Sequence, residues 1–329
     1  MNFFLYIFKF FPPELAHSIS LISLNLLYKL NLTHIFKSNT LKEDKLTIYG
    51  LKLKNRIGTA AGLDKNGDFI DALGSLGFGF LEIGTVTPMP QFGNPKPRVF
   101  RNYNENSIIN RLGFNNKGVD YLVKNLKKRN YDGVVGVNIG ANKFSEGDER
   151  INDYLICIEK INNLADYITI NISSPNTPDL RDFHLKENLV NLINSVEEKI
   201  KEINFCKPIF LKISPDESDE SIKMIIDTVR NSSITGLVAT NSTIDKSNII
   251  NEKFKTEDGG LSGQPLMDTS TKKISMISSE CPDMPIIGVG GVMSRDDYLS
   301  KINAGADLVQ IYTGFIIKGP KLINEIIRD

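Results

Sequence analysis

The stretch that decides the fold runs from Tyr167 to Pro178 and reads YITINISSPNTP. Its first part, Tyr167–Ile170, consists of aromatic and β-branched residues, which is typical of a buried strand. The remainder is made of asparagines, hydroxyl residues and prolines, and such a run does not continue a sheet. In parallel α/β folds ligands bind at the carboxyl ends of strands, so these polar groups are candidates for a site. The same residue types also form ordinary turns, and the rest of the chain decides between the two interpretations.

Seven further runs of the same kind alternate with segments of helical periodicity beyond residue 45. The eight predicted strands are Ile57–Gly62, Phe80–Thr85, Val134–Gly140, Tyr167–Asn171, Pro208–Ile213, Gly236–Asn241, Pro285–Gly290 and Asp307–Thr313. Eight βα units over about 250 residues are typical of a (β/α)8 TIM barrel. A doubly wound open sheet is the alternative, but it rarely needs eight units and there is no early GxGxxG fingerprint. We therefore expect residues 46–329 to form an α/β TIM barrel.

The composition narrows the class of ligand. The 39 Lys and Arg residues equal the 39 Asp and Glu residues, so the net charge is zero. A nucleic-acid partner would call for a basic excess, and none is present. Cys157, Cys206 and Cys281 lie far apart without a CxxC pair, which indicates a reducing compartment and no iron–sulfur cluster. The three histidines do not follow predicted strands, so we expect no metal site.

Residues 1–45 differ from the rest and form a predicted helical module. An apolar stretch precedes Pro12, and a second helical segment starts at Glu14. Its apolar residues recur at spacings of three and four: Leu15, Ile19, Ile22, Leu26 and Leu30, with Leu24 and Leu27 widening the stripe. No run reaches the roughly eighteen apolar residues of a spanning helix, and no cleavage site marks a signal peptide. The helices either lie on a membrane surface or cap the main domain, and the pattern leaves both open.

Unusual residues collect at the ends of the predicted strands. Lys65 and Lys212 stand at two apolar strand ends, where a buried ammonium is costly without an anionic partner. Gly-rich turns at 288–291 and 312–314 follow the last two strands, where barrels bind phosphate through backbone N–H groups. Because all strand ends of a barrel meet at one mouth, this coincidence predicts a phosphate-bearing cofactor beside an anionic substrate.

Several of these segments resemble signatures of the dihydroorotate dehydrogenase family, specifically its membrane-associated, quinone-using class 2. The segments are Ala60–Gly67, Gly84–Arg101, Asn110–Asn116, Asn171–Pro178, Thr240–Thr243, Gly259–Gly263 and Tyr312–Gly314. The similarity extends over essentially the whole chain. It implies FMN at the barrel mouth and oxidation of (S)-dihydroorotate to orotate in pyrimidine synthesis, with a membrane quinone as the final electron acceptor.

The resemblance also implies roles for individual residues. Ser174 matches the family's catalytic base, and because class 1 enzymes typically have Cys there, Ser favours class 2. The implied substrate contacts are Lys65, Asn110, Arg111, Leu112, Gly113, Phe114, Asn171, Asn176, Asn241 and Ser242. The implied FMN contacts are Ala61, Gly62, Leu63, Asp64, Lys65, Thr85, Asn138, Asn171, Lys212, Thr240, Gly263, Gly291, Tyr312 and Thr313. Among these, Lys212 matches a lysine near flavin N1 and O2.

For residues 1–45 the resemblance implies a membrane-lying module that gives quinone access to the flavin, attached peripherally to the cytoplasmic face of the cell membrane. His17 and Arg101 match polar positions along the quinone tunnel, with a partly buried helix residue as the alternative for His17. We expect a monomer, as class 2 enzymes often are. Two positions depart from the family pattern: Gln264 replaces a common basic residue, and Asp179 replaces the usual Gly.

Three other functions are weighed against this one. A soluble class 1 type enzyme would use fumarate or NAD, but Ser174 and the amino-terminal module disfavour it. A non-catalytic flavin-binding barrel would have little reason to combine that serine with Lys65, Asn176 and Asn241. An FMN barrel that reduces uracil-like bases would more typically use Cys as its base.

Overall fold

The computed structural model describes residues 10–36, 46–177 and 180–328. Its strands are β1 (Leu46–Ile48), β2 (Leu51–Leu53), β3 (Ile57–Thr59), β4 (Phe80–Val86), β5 (Val99–Asn102), β6 (Ser107–Asn110), β7 (Val134–Ile139), β8 (Tyr167–Asn171), β9 (Ile209–Ile213), β10 (Gly236–Ala239), β11 (Gly260–Gly263), β12 (Ile286–Val289) and β13 (Leu308–Ile311). Its helices are α1 (Pro13–Lys29), α2 (Ile70–Gly74), α3 (Val119–Lys128), α4 (Asp148–Ile161), α5 (Lys186–Glu202), α6 (Asp219–Arg230), α7 (Glu252–Lys255), α8 (Met267–Glu280), α9 (Arg295–Asn303), α10 (Thr313–Lys318) and α11 (Lys321–Ile327). Short 3₁₀ helices cover Thr33–Phe36, Leu180–His184 and Gln264–Leu266.

Eight of the strands close into a parallel barrel. Taken around the barrel they follow chain order, β3, β4, β7, β8, β9, β10, β12 and β13, and β13 pairs with β3. Seven of them fall within one predicted run each, and β4 extends one residue beyond its run, to Val86, so the predicted TIM barrel is confirmed. Several predicted runs are too long at the carboxyl end; Ile57–Gly62, for example, shortens to Ile57–Thr59. The residues beyond leave the ladder, which frees them to line a site at that end of the barrel.

The other end of the barrel is filled with apolar side chains. Phe80 and Tyr167 pack edge to face at 6.3 Å between ring centroids, and Tyr167 meets Phe210 at 5.8 Å. The β1–β2 hairpin adds Leu51 and Leu53 to this cluster. Because such a packed interior leaves no room for a ligand, any site is confined to the carboxyl ends of the strands.

A small antiparallel sheet of β5, β6 and β11 forms one side of that carboxyl-end face. In the β6–β11 ladder Asn110 pairs with Gly260, and Ser107 pairs with Gly263. These short strands fall within the Gly84–Arg101, Asn110–Asn116 and Gly259–Gly263 segments or next to them. The sheet thus brings segments that are far apart in sequence to the barrel mouth.

Helix α1 packs on the barrel through one face. Ala16, Leu21 and Leu24 are buried, and the Glu14 carboxylate forms an ion pair with Arg98, with Nη2 to Oε1 at 2.8 Å. Leu24 therefore lies on the barrel side and does not widen the predicted stripe.

The opposite face of α1 carries the apolar stripe that the periodicity predicted. Four of its residues are exposed: Leu15, Ile22, Leu26 and Leu30. The earlier apolar stretch, residues 1–9, lies outside the described residues, as does Asp179. Among the helices that the structure describes, none combines the length and apolarity needed to cross a bilayer. Helix α1 thus has two apolar faces, one that packs on the barrel and one that faces outward.

Candidate functional site

A cleft of about 960 Å³, part of it open to solvent, lies at the carboxyl ends of the barrel strands. Its wall brings together most of the residues predicted to bind substrate or cofactor. They are Ala61, Gly62, Lys65, Thr85, Asn110, Leu112, Gly113, Phe114, Asn171, Ser174, Asn176, Lys212, Thr240, Asn241, Ser242, Gly263, Gly291, Tyr312 and Thr313. A concave wall that combines apolar surface with a few converging polar groups is typical of small-molecule and cofactor sites.

Leu63 and Asp64 lie behind the wall. Leu63 is buried, and the Asp64 carboxylate accepts hydrogen bonds from the backbone N–H of Asp68 at 3.0 Å and of Phe69 at 2.7 Å. These bonds hold the loop that presents Lys65 to the cleft. We infer that their part in any binding is to shape this loop.

Arg111 also lies apart from the cleft. Its guanidinium covers the Phe100 ring at 4.6 Å, forms an ion pair with Glu257 and donates to the Pro97 carbonyl at 2.9 Å. Arg111 lines a second, more open depression, which adjoins the cleft at Pro175 and Asn176. Although Arg111 follows Asn110 directly, it is therefore not part of the cleft wall itself.

Ser174 follows β8 and is 5% exposed. Its Oγ accepts a hydrogen bond from the Asn176 backbone N–H at 3.3 Å. The neighbouring Ser173 Oγ donates to Asn171 Oδ1 at 3.0 Å and accepts from Asn241 Nδ2 at 3.0 Å. In the described part of the chain no His, Asp or Glu is hydrogen-bonded to the Ser174 hydroxyl. A proton that it accepts has to leave through water or a neighbouring hydroxyl.

Amide and hydroxyl groups form a connected network beside this serine. Asn171 Nδ2 donates to Thr85 Oγ1 at 3.2 Å and to Asn138 Oδ1 at 3.3 Å, and the Thr85 hydroxyl donates to Asn138 Oδ1 at 2.6 Å. Asn176 Nδ2 donates to the Asn110 carbonyl at 3.1 Å. Asn138 thus lies one layer below the cleft and orients residues that line it. A set of Asn side chains both donates and accepts, which suits a ring with alternating N–H and C=O groups.

Two lysines supply positive charge to the cleft. Burial, reinforced by the nearby Arg98 charge, lowers the pKa of Lys65 to about 8. Burial also lowers the pKa of Lys212, while the Glu82 charge acts in the opposite direction. Neither ammonium has a carboxylate within salt-bridge distance among the described residues. A buried cation at Lys212 and a partly buried one at Lys65, both without a carboxylate partner, favour ligands with negative charge.

Glu82 is a buried acid that the sequence analysis missed. It lies on β4, is completely buried, and accepts four hydrogen bonds inside the barrel. The donors are Asn138 Nδ2 at 2.9 Å, Tyr167 OH at 3.0 Å, Thr169 Oγ1 at 2.9 Å and Gln310 Nε2 at 2.7 Å. A signal was available, because a lone acid within the apolar strand FLEIGTV has to face the barrel interior or the helix layer.

Glycines form the far end of the cleft. Gly263, Gly290, Gly291 and Gly314 all line it, and beside them the Ser262 and Thr313 hydroxyls lie 2.9 Å apart. At Gly291 φ is +81°, and an added Cβ would come within 2.4 Å of the Met267 Cα. The bare backbone and hydroxyl groups there suit a phosphate group. The cleft thus fits a phosphorylated cofactor such as FMN.

Replacing Gly291 with alanine should destabilise the protein more than the same change at Gly50. Gly50 has a similar φ of +77° but no atom within 4 Å of an added Cβ. Gly50→Ala should therefore cost only the left-handed conformation, about 1–2 kcal/mol, whereas Gly291→Ala adds a backbone collision. Urea unfolding of both purified variants measures the difference. Equal losses would show that the backbone near Met267 moves away freely.

His17 and Arg101 lie where α1 meets the barrel. His17 is half-buried beside the Leu63 backbone, and burial lowers the pKa of its imidazole to about 4, so the ring is neutral at pH 7. Arg101 donates through Nη2 to the Phe11 carbonyl.

Arg98, which the sequence analysis did not single out, donates to the carbonyls of Phe92 and Asn94 as well as to the Glu14 carboxylate. No group of three His, Cys, Asp or Glu side chains that could hold a metal occurs within the described ranges.

Comparisons with known proteins give a consistent result. The family model "Dihydroorotate dehydrogenase" matches residues 44–329. A protein of Saccharophagus degradans named "Dihydroorotate dehydrogenase (quinone)" is 48% identical over 319 residues, which is 95% of this chain and 93% of that one. One of the same name from Buchnera aphidicola subsp. Schizaphis graminum is 48% identical over 323 residues, 96% of each chain. The crystal structure of DHODH from Eimeria tenella in complex with ferulenol superposes with a TM-score of 0.87, at 32% identity, over 96% of this chain and 89% of that one.

Proposed function

The chain belongs to the dihydroorotate dehydrogenase family, and we propose that it oxidises (S)-dihydroorotate to orotate with a quinone as the final electron acceptor. This reaction is a step of pyrimidine synthesis. The observation that carries the proposal is the constellation on one cleft wall of Ser174, Lys65 and the amide groups of Asn110, Asn171, Asn176 and Asn241. It offers a proton acceptor, a cation and a set of paired donors and acceptors, which are the groups that an anionic dihydropyrimidine needs.

FMN is the proposed cofactor. Its phosphate would be held at the end formed by Gly263, Gly291, Tyr312 and Thr313. Its ring system would lie toward Ala61, Gly62, Thr85, Lys212 and Thr240, with Asn138 beneath them. When bound, the flavin supplies a hydride acceptor. The Lys212 ammonium would stabilise negative charge on the reduced flavin. Lys65 would contact both the flavin and the substrate.

The chain's own residues divide the remaining work. Lys65 would bind the substrate carboxylate through a charge-assisted hydrogen bond. The Asn side chains and Ser242 would orient the pyrimidine ring, and Leu112, Gly113 and Phe114 complete the wall beside it. Ser174 Oγ would accept the proton from substrate C5 as the hydride leaves C6. Because the hydroxyl is buried and a weak base, this transfer depends on a relay from Ser174 to water.

The outward face of α1 supports the proposed membrane association. Leu15, Ile22 and Leu26 on one face of α1 and Leu30 directly after it are exposed, whereas Ala16, Leu21 and Leu24 on the other face are buried. We propose that this face lies in the membrane surface on the cytoplasmic side, that residues 1–45 act as a module for quinone access, and that the protein acts as a monomer. His17 and Arg101 would then line the route from the membrane to the flavin. In the barrel region, 46–329, the chemistry would proceed independently of this attachment.

Replacing Leu15, Ile22 and Leu26 with glutamine should abolish binding to lipid vesicles without changing flavin reduction by dihydroorotate. These side chains are 47%, 60% and 58% exposed, so their packing on the barrel is little affected, and Gln keeps helix propensity. At about 1.5 kcal/mol for each of the three inserted side chains, partitioning into the vesicles should fall on the order of 1000-fold. Vesicle flotation measures it. Phe144→Gln with Ile250→Gln, which are exposed on barrel loops, is the control; equal loss in both proteins would contradict the proposed face.

The test of the proposed function is anaerobic mixing of the flavin-loaded protein with dihydroorotate, followed by a ubiquinone analogue or by fumarate. Bleaching of the flavin absorbance and its recovery with quinone alone is the expected result. Recovery with fumarate alone would indicate the class 1 reaction, and the α1 face would then be a structural cap. A flavin-loaded protein that dihydroorotate does not bleach would exclude the assigned substrate.

A further inference from the structure

Glu82 is the most deeply buried acid in the described barrel. Its carboxyl oxygens act only as hydrogen-bond acceptors. Of its four donors, three converge on Oε2 and one on Oε1. Asn138 and Gln310 can offer only N–H groups in the orientations they adopt. Four donors and no acceptor surround the carboxyl group, which is the hydrogen-bonding environment that a carboxylate needs. The barrel interior is thus built to hold a negative charge at this position.

This charge lies beneath the cleft and shares the barrel interior with Lys212. Two of the residues that donate to Glu82 connect it to the cleft. Asn138 is hydrogen-bonded to Thr85 and Asn171, and Gln310 lines the cleft itself. Lys212 pairs in register with Asn171 on the neighbouring strand. The Lys212 side chain therefore leaves its strand at the same height in the barrel as Asn171. In an interior of low dielectric constant, the charges of Glu82 and Lys212 act on each other and on a ligand bound in the cleft above them.

We propose that Glu82 sets the reduction potential of the bound flavin by opposing the positive charge of Lys212. This inference rests on the proposed function, because it presupposes FMN in the cleft. Two electrons and one proton convert the oxidised flavin to a form with one additional negative charge. Lys212 stabilises that charge and raises the potential, whereas Glu82 repels it and lowers the potential. The pair would hold the flavin at a value at which dihydroorotate reduces it and a quinone reoxidises it.

The direct test is Glu82→Gln, which removes the charge and keeps the shape. The pocket can adapt to the new amide, because the Tyr167 and Thr169 hydroxyls can rotate to accept, and Gln310 Oε1 is buried without a partner. The midpoint potential of bound FMN, measured by anaerobic photoreduction against a reference dye, should rise. We expect at least a tenfold change in the two-electron equilibrium, which is about 30 mV. Reduction by dihydroorotate should become more favourable and reoxidation by quinone less so.

Two further variants separate charge from structure. Tyr167→Phe removes one hydrogen bond from the same carboxylate without removing the charge, and should change the reduction equilibrium less than twofold. The double variant Glu82→Gln with Gln310→Glu moves the carboxylate across a 2.7 Å hydrogen bond and should return the potential toward the original value.

An unchanged or lowered potential in Glu82→Gln would overturn the inference. So would loss of FMN from both charge variants, since that would make the carboxylate a structural group only. The photoreduction needs no substrate, so its outcome is independent of whether dihydroorotate reduces the flavin. Failure of the substrate assignment and failure of this inference are therefore distinguishable.

Discussion

Ser174→Ala should slow reduction of the bound flavin by dihydroorotate about 10²–10⁴-fold, the usual loss when a general base is removed. The flavin content should be unchanged, because the hydroxyl makes one weak contact with the Asn176 backbone at 3.3 Å. Stopped-flow absorbance of the anaerobic enzyme measures the rate constant. Since the alanine cannot accept a proton at any pH, the pH dependence of the residual rate should also flatten.

The neighbouring serine provides the control. Ser173 is buried and bonds to Asn171 and Asn241, so Ser173→Ala disturbs the amide network but leaves the proposed base. It should lower the rate constant less than tenfold and mainly raise the KM for dihydroorotate. If Ser173→Ala slowed flavin reduction as much as Ser174→Ala, the base assignment would be wrong and the two serines would be parts of one structural turn.

Lys65→Met should weaken dihydroorotate binding by about 2–5 kcal/mol, the cost of removing one partner from a buried charged pair. The KM should rise about 30-fold or more, because the substrate carboxylate would then be desolvated without a cation. The neighbouring Lys117 is the matched control: it is half exposed and pairs with Asp68 at 3.2 Å. Lys117→Met should change the KM less than twofold, and an equal rise in both variants would indicate a general effect of charge.

The same lysine predicts a pH dependence. The pKa of Lys65 in the free protein is lowered to about 8, chiefly by burial, so the ammonium is present below that pH and lost above it. We expect kcat/KM for dihydroorotate to fall above about pH 8. A bound carboxylate favours the charged form, so kcat should begin to fall only at higher pH. A kcat/KM that stays level to pH 9.5 would contradict the proposed contact.

Much of the fold could be predicted because each strand of a parallel barrel can be identified from its own short stretch of sequence. Each barrel strand is buried on both sides and reads as an apolar run, and each run ends where polar residues begin. Several predicted runs ended late because residues such as Ala60 to Gly62 are small or apolar, although they already line the cleft. The stripe on α1 was also visible from its spacing, but which face packs on the barrel was not, and Leu24 shows the error.

The parts of the site that escaped prediction depend on contacts between distant segments. Arg98 fixes α1 through Glu14, although 84 residues separate them. Arg111 follows Asn110 directly and yet turns away, because Phe100 and Glu257 offer it a stacking surface and a partner. The burial of Glu82 depends on four hydrogen-bond donors that lie on three other strands, and these are distant in sequence. The cis peptide bonds before Thr85 and Thr240, both at the cleft, had no local signal at all.

The ladder between β6 and β11 joins the two ends of the cleft. The Asn110–Gly260 pair lies at the proposed substrate end, and the Ser107–Gly263 pair lies at the proposed phosphate end, about 10 Å away for three strand steps. One short run of hydrogen bonds thus positions a group for each of the two proposed ligands. A substitution that shifts the register would misplace both at once. Selection on either subsite therefore restricts the sequence of the other, and the two halves of the cleft are expected to evolve together.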